Sequence, residues 1–257
     1  MSPFIIPNSL IDINYFFVVL IFYIGCCGGS FSHAYANGII KSFNVLRRSE
    51  CDSCKKKLYW FHLFPIFSYL CMKGKCSFCE DKIKIELLFF EVFFGIIFVI
   101  YFTSLSHSSA IIFSALSIFA GSIYETDRKL MIIHTPTLFL ILIFNFIYLF
   151  IQAINYKFMY DFILLFIFGL SIIFIISYLY YFVRGIQGFG SGDKWLLGVI
   201  ATFFNYSDIV YIFLYACIFG SLVGIINLLI KGKFHNIKLP FGSFLCLVTI
   251  IYPILFK

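Results

Sequence analysis

The sequence predicts an all-α polytopic membrane protein with about eight transmembrane helices and a cytoplasmic zinc-binding loop between the first two. Three observations carry this. The 257 residues are 62% hydrophobic and only 12% charged, with a mean hydropathy of +1.01; a soluble domain carries about twice that charged fraction. Apolar runs approaching the ~20 residues that cross a bilayer recur along the chain. The basic residues fall almost entirely on one side of those runs.

Taken in order, the candidate spans are Ile13–Phe31, Glu86–Leu105, Ser109–Tyr124, Thr135–Ala153, Phe158–Val183, Lys194–Tyr206, Ile209–Ile230 and Leu239–Phe256. The third and sixth are short, which local bilayer thinning or burial in a bundle accommodates. The 37 Phe and 17 Tyr suit lipid-facing and interfacial surfaces. The start has no basic n-region and its first apolar run is long enough to span, so no cleavable signal peptide is expected.

Residues 1–12 hold no Lys or Arg, which places the N-terminus outside. The loop that follows the first span then faces the cytoplasm and holds ten of the 19 basic residues. Continuing through eight crossings puts 17 inside and two outside, the two being Lys157 and Lys257. The net charge of +7 is thereby accounted for by orientation and by attraction to anionic lipid. No nucleic-acid partner is implied.

The chain divides into a first helix (1–31), a cytoplasmic loop (32–85) and a helical bundle (86–257). Within the loop, Cys51-x-x-Cys54 is followed after 21 residues by Cys76-x-x-Cys79. That is the two-knuckle spacing of a structural zinc site. Four thiolates complete a tetrahedron and leave no open position for catalysis. The reducing cytoplasm favours metal over disulfides, and metal binding supplies folding energy to a segment too short for its own core. Cys26, Cys27, Cys217 and Cys246 lie in apolar runs, where Cys behaves as a small hydrophobe.

In the bundle, Gly188-Phe189-Gly190-Ser191-Gly192-Asp193 leads three glycines into a carboxylate at the start of an apolar helix. Charge near lipid is costly and marks a candidate site. Asp127, in Tyr124-Glu125-Thr126-Asp127-Arg128-Lys129, closes the third span at the same cytoplasmic face. Two close carboxylates share one proton, so one activates water while the other polarises a carbonyl. Asp127 and Asp193 are the candidate catalytic pair. Gly190 and Gly192 would admit an extended substrate segment beside Asp193.

These features together resemble the bacterial prepilin peptidases, the type IV leader peptidases. The likeness runs from Gly29-Ser30-Phe31 through Arg48-Ser49-Glu50-Cys51-Asp52-Ser53-Cys54, Trp60, Pro65, Gly74-Lys75-Cys76, Cys79 and Glu91 to Asp127, the glycine segment and Leu239-Pro240-Phe241-Gly242-Ser243. The resemblance implies an inner-membrane aspartic protease. Such an enzyme removes the basic leader of type IV prepilins and pseudopilins on the cytoplasmic side, just after a glycine. It also implies N-methylation of the new terminus by S-adenosylmethionine, with Gly29 and Glu91 as candidates for the methyl-donor site and Glu125 as an acidic group for the basic leader. Departures from the family pattern include His33, Asp52, Leu63, Glu86, Leu88, His134 and Trp195. Two other readings compete. One is a Gly-x-Gly-Asp protease of the presenilin kind, but those carry Tyr-Asp and Pro-Ala-Leu where this chain has Thr126-Asp127 and Pro240-Phe241-Gly242. The other is a non-enzymatic membrane assembly protein that binds partners through its zinc loop. The five histidines, each isolated near a span boundary, are read as interfacial side chains.

Overall fold

The computed structural model describes residues 15–41, 49–51, 53–152, 156–186, 188–231 and 239–256. Arg48 and Asp52 of the family-like run, together with Lys233, Lys238 and Lys257 of the charge count, lie outside the described residues. The elements are α1 (Tyr15–Ile40), a 3₁₀ turn (Trp60–Leu63), α2 (Phe67–Cys71), α3 (Ile85–Ser104), α4 (His107–Leu130), α5 (Thr135–Gln152), α6 (Tyr156–Arg184), α7 (Ser191–Ala201), α8 (Tyr206–Lys231) and α9 (Phe241–Phe256). No strand occurs among the described residues, only two isolated bridges.

Every predicted span has a helix. Five of them, α1, α3, α4, α6 and α8, are long and apolar enough to cross a membrane, and α5 and α9 are shorter apolar helices. The expected sixth span is different. Helix α7 has 11 residues, about 16 Å of rise against a hydrocarbon core of ~30 Å. By itself it is shorter than a crossing, and it packs inside the bundle, starting beside Ile133 and leading to Phe204, which meets Phe113 and Tyr252 at the other end. Gly198 admits Leu170 of α6, and Asn145 of α5 donates to Thr202 just beyond the α7 end. The expected third span falls short in the other direction, because α4 runs 24 residues. Its last turns, Glu125-Thr126-Asp127-Arg128-Lys129, carry four charged residues that dilute the hydropathy. Hydroxyls along the helix donate back to carbonyls three residues earlier, as Ser117 does to the Ser114 carbonyl and Thr126 to the Ile123 carbonyl. Helix α1 likewise continues past Phe31 to Ile40, crossing the expected boundary between the first span and the loop.

Small residues set the packing of the first three long helices. A Cβ on Gly25 would lie 2.6 Å from the Phe94 carbonyl oxygen, and one on Gly95 would lie 2.7 Å from Cys26 Sγ. Such close backbone approach is how membrane helices gain contact where lipid supplies no hydrophobic drive. Ser32 Oγ donates to the Ile118 carbonyl at 2.7 Å and ties α1 to α4. Helix α4 is the most buried of the long helices and also packs along α9. Tyr101 of α3 donates to the Ile250 carbonyl of α9 at 2.6 Å. The bundle is thereby closed around α4, whose last turn carries Asp127.

Candidate active site and cysteine centre

Asp127 is 5% exposed in the last turn of α4. The helix ends at Met131, in the left-handed region at φ 56°, and the Met131 N–H donates to the Asp127 carbonyl. The side chain turns the other way, to the start of α9. Its Oδ2 accepts from the Ser243 backbone N–H at 2.6 Å and from Ser243 Oγ at 3.0 Å. Ser243 Oγ also lies 3.1 Å from the Tyr124 carbonyl. The orphan N–H groups at a helix N-terminus are a ready seat for a carboxylate. Gly242 makes the approach feasible, since a Cβ there would lie 3.1 Å from Asp127 Oδ2 and 2.9 Å from Ile133 Cδ1.

Asp193 occupies the third position of α7. Its Oδ2 accepts from the N–H of Gly190, the residue preceding the helix, at 3.0 Å. It thus caps the helix in which it sits. A Cβ on Gly192 would lie 3.0 Å from Ile133 Cβ. Ile133 therefore stands between Gly242, on the Asp127 side, and Gly192, beside Asp193. Phe189 of the glycine segment lies edge-on to Phe241 of α9 at 5.0 Å between ring centroids. Cys246, one turn further along α9, is within electrostatic range of both carboxylates. The two aspartates, 66 positions apart in the chain, are thus gathered at one end of the bundle. Asp193 lies outside the spanning helices. Burial, and next the charge of Asp127, push its carboxyl up to about 6.

The two glycines proposed to admit substrate differ in setting. Gly190 is exposed, and the atoms nearest a Cβ there belong to Asp193. Gly192 is packed against Ile133 and seats α7. Glu125 is not available to a basic leader. It is 2% exposed and already pairs with Lys129, with His33 at 3.5 Å and with Arg128 at 3.9 Å. Arg128 also meets Glu86 at 3.2 Å. His33 is therefore part of an ionic cluster joining α1, α3 and α4, not an isolated boundary histidine. His134 bonds Thr137 at 2.9 Å, and Thr137 in turn meets Tyr35 of α1.

Gly29 and Glu91 lie together where α1 crosses α3. A Cβ on Gly29 would lie 2.9 Å from the Phe90 carbonyl oxygen. Glu91 is buried and accepts the Ile66 N–H at 2.8 Å. Gly29 therefore closes a helix crossing, and Glu91 anchors the loop to α3.

In the loop, the four cysteine sulfurs of Cys51, Cys54, Cys76 and Cys79 all lie within 4.8 Å of one another and could hold a metal ion. Cys51 Sγ and Cys79 Sγ are 3.8 Å apart. Zn–S bonds of about 2.3 Å put tetrahedral sulfurs roughly 3.8 Å apart. The two knuckles repeat each other. Cys51 N–H donates to the Lys56 carbonyl and Lys55 N–H to the Cys51 carbonyl; Cys76 N–H donates to the Asp81 carbonyl and Glu80 N–H to the Cys76 carbonyl. Lys55 and Glu80 both sit at positive φ, 59° and 60°. The Phe78 N–H, against the upward push of burial and with help from the Cys79 N–H, pulls the Cys76 thiol down to about 7. Cys71 is exposed and outside the cluster.

This fold and these sites define a polytopic helical membrane protein with a four-cysteine lobe and two aspartates brought together at one end of its bundle. Family comparison is more particular. Residues 23–105 match the Bacterial Peptidase A24 N-terminal domain, and residues 111–225 match the Type IV leader peptidase family. The chain belongs to the type IV leader peptidase family. Among curated relatives it is similar to the prepilin leader peptidase/N-methyltransferase of Vibrio cholerae serotype O1, with 31% identity over 41% of each chain. It is also similar to proteins of that name from Pseudomonas putida, at 25% identity over 79% of this chain and 70% of that protein, and Pseudomonas aeruginosa, at 24% over the same shares. The Vibrio match thus spans less than half of its relative's length. No solved structure matches. Gly242 and Ser243, which hold Asp127, lie beyond both matched segments.

Proposed function

We propose that this chain removes the leader peptide of type IV prepilins and pseudopilins at the cytoplasmic face of the bacterial inner membrane, with Asp127 and Asp193 as its catalytic pair. The observation that carries the reading is the link Asp127–Gly242–Ile133–Gly192, which sets both carboxylates at one end of the bundle. With one proton shared between them, the charged carboxylate takes a proton from water. The resulting hydroxide attacks the carbonyl of the glycine before the cut, while the protonated carboxyl donates to that carbonyl oxygen. Collapse of the tetrahedral intermediate passes a proton to the leaving amine, which becomes the new pilin N-terminus. The pair titrates as a unit. Exposed Gly190 leaves room for the extended leader beside Asp193.

The cysteine cluster fits structural Zn²⁺, and with all four positions filled by thiolate the ion holds the lobe together and takes no part in cleavage. A second activity, methylation of the new amine by S-adenosylmethionine, is favoured by the names of the relatives. In this reading Gly29 and Glu91 stand as the donor-site candidates, and no step is routed through them. The test uses the full chain in liposomes with a prepilin. The product's mass should place its N-terminus immediately after the leader glycine, and added S-adenosylmethionine should add one methyl group. An intact prepilin overturns the peptidase reading; a cleaved but unmethylated product overturns the second activity alone.

A further inference from the structure

The segment between the two knuckles carries its large apolar side chains outward. Trp60 is 70% exposed, Phe67 62% and Leu70 60%, and Tyr59 and Phe61 are also exposed. On a water-facing lobe this would be a costly surface. Its position in the fold says what covers it. Ile66 N–H donates to Glu91, six residues into α3, and Phe67 lies 6.3 Å ring to ring from Tyr23 within α1. Both partners belong to helices that are long and apolar enough to span. Six helical residues are about 9 Å of rise, so Ile66 and Phe67 sit roughly that far below the α3 start. Interfacial elements bury their apolar face to a depth of about 5–10 Å.

Above that level the surface changes character. A cavity of about 340 Å³ next to the α3 start is lined by Tyr69, Lys73, Lys75 and Lys82. All three lysines are exposed, and none pairs with a carboxylate among the described residues. Lys55, Lys56 and Lys57 add exposed positive charge on the first knuckle. Apolar rings below and lysines above is the profile of an element seated at an anionic leaflet. Ile66 reinforces the reading. It is β-branched yet held at φ 63°, a strained conformation that the Glu91 bond fixes at the point where the chain turns down.

We propose that the cysteine lobe is docked on the bilayer, with the Tyr59–Cys71 segment inserted in the leaflet and the Lys73–Lys75–Lys82 cavity holding an anionic phospholipid headgroup. The lobe is then a lipid-reading element that the knuckles keep folded at the membrane surface. This inference is independent of the peptidase reading.

The chain has two tryptophans, Trp60 and Trp195, so Trp195→Phe leaves Trp60 as the sole reporter. The full chain carrying this change is placed in nanodiscs of phosphatidylcholine containing phosphatidylglycerol. Trp60 emission should be quenched by lipids brominated high on the acyl chain and shielded from aqueous iodide. Native mass spectrometry should show phosphatidylglycerol retained over phosphatidylcholine severalfold, and Lys73→Gln/Lys75→Gln/Lys82→Gln should bring that preference to about one. Soluble glycerol phosphate in excess should not displace the lipid. Iodide quenching like that of a free indole overturns the insertion. A blue-shifted Trp60 that brominated lipid leaves unquenched overturns it too, because protein then covers the segment. An unchanged lipid preference in the triple-lysine variant overturns the headgroup site, as does displacement by glycerol phosphate.

Discussion

Asp127 is held by a residue 116 positions away. The Asp127 and Asp193 signals were legible in sequence because a carboxylate at the end of an apolar helix is rare. Ser243 was not, although it stood in a family-like segment, because a serine opening a helix has many ordinary uses. Ile133 was invisible for the same reason: only three-dimensional contact sets it between two glycines. His33 and Glu125 misled in complementary ways, since a buried ionic cluster looks like separate boundary residues when read along the chain. Ser243 yields a direct prediction. Ser243→Ala removes the hydroxyl and leaves the backbone donor. Leader cleavage should fall roughly tenfold, about 1.4 kcal/mol of transition-state stabilisation, while Ser243→Thr retains most activity. Comparable kcat/KM values across all three would remove Ser243 from the site.

Asp193 also makes a pH prediction. Its carboxyl lies at about 6 against an ordinary 3.8, so the folded state binds this proton more tightly than the unfolded chain. The stability this contributes is full below 3.8 and is lost as pH rises through about 6. Thermal stability of the chain in detergent should therefore fall across that window relative to Asp193→Asn. Parallel curves for the two proteins would contradict the burial and charge coupling assigned to Asp193.

Among the elements, the helices read best from sequence because hydropathy is an additive signal over 20 residues. It set the bounds too short where charged residues close an apolar helix, as at the end of α4, and its signal is weakest where a short helix is buried by neighbours, as in α7. The knuckles were fully legible, since ligand spacing dictates their geometry. The course of the segment between them was not, because its direction depends on Glu91 capturing the Ile66 N–H. The expected metal content of the full chain is one zinc. Cys51→Ser or Cys79→Ser should lower it severalfold and expose the lobe to proteolysis, whereas Cys71→Ser should leave it intact. Elemental analysis of the purified proteins checks this; undiminished zinc in the Cys51 variant would refute the ligand set.

At the scale of the whole molecule, alternating crossings require that the Asp127 end of α4 and the start of α7 share one face of the bundle. Charge counting predicted that arrangement, and in the packing Gly192 at the α7 start meets Ile133 just past the α4 end, while Glu125 reaches His33 near the α1 end, Arg128 reaches Glu86 at the α3 start and Asp127 reaches the α9 start. Sequence predicts a shared face but not the contact. The link through Ile133 and Gly242 depends on how α4, α7 and α9 pack, which no local pattern encodes. The central claim is that the two aspartates act as one catalytic pair. The measurement is leader cleavage of a prepilin by the full chain in membranes, compared with Asp127→Asn and Asp193→Asn present at equal, folded levels. Each variant should lose at least about a hundredfold in rate, the scale of general acid–base catalysis, and the double variant should lose little more than either alone. Full-rate cleavage by either single variant would contradict the account.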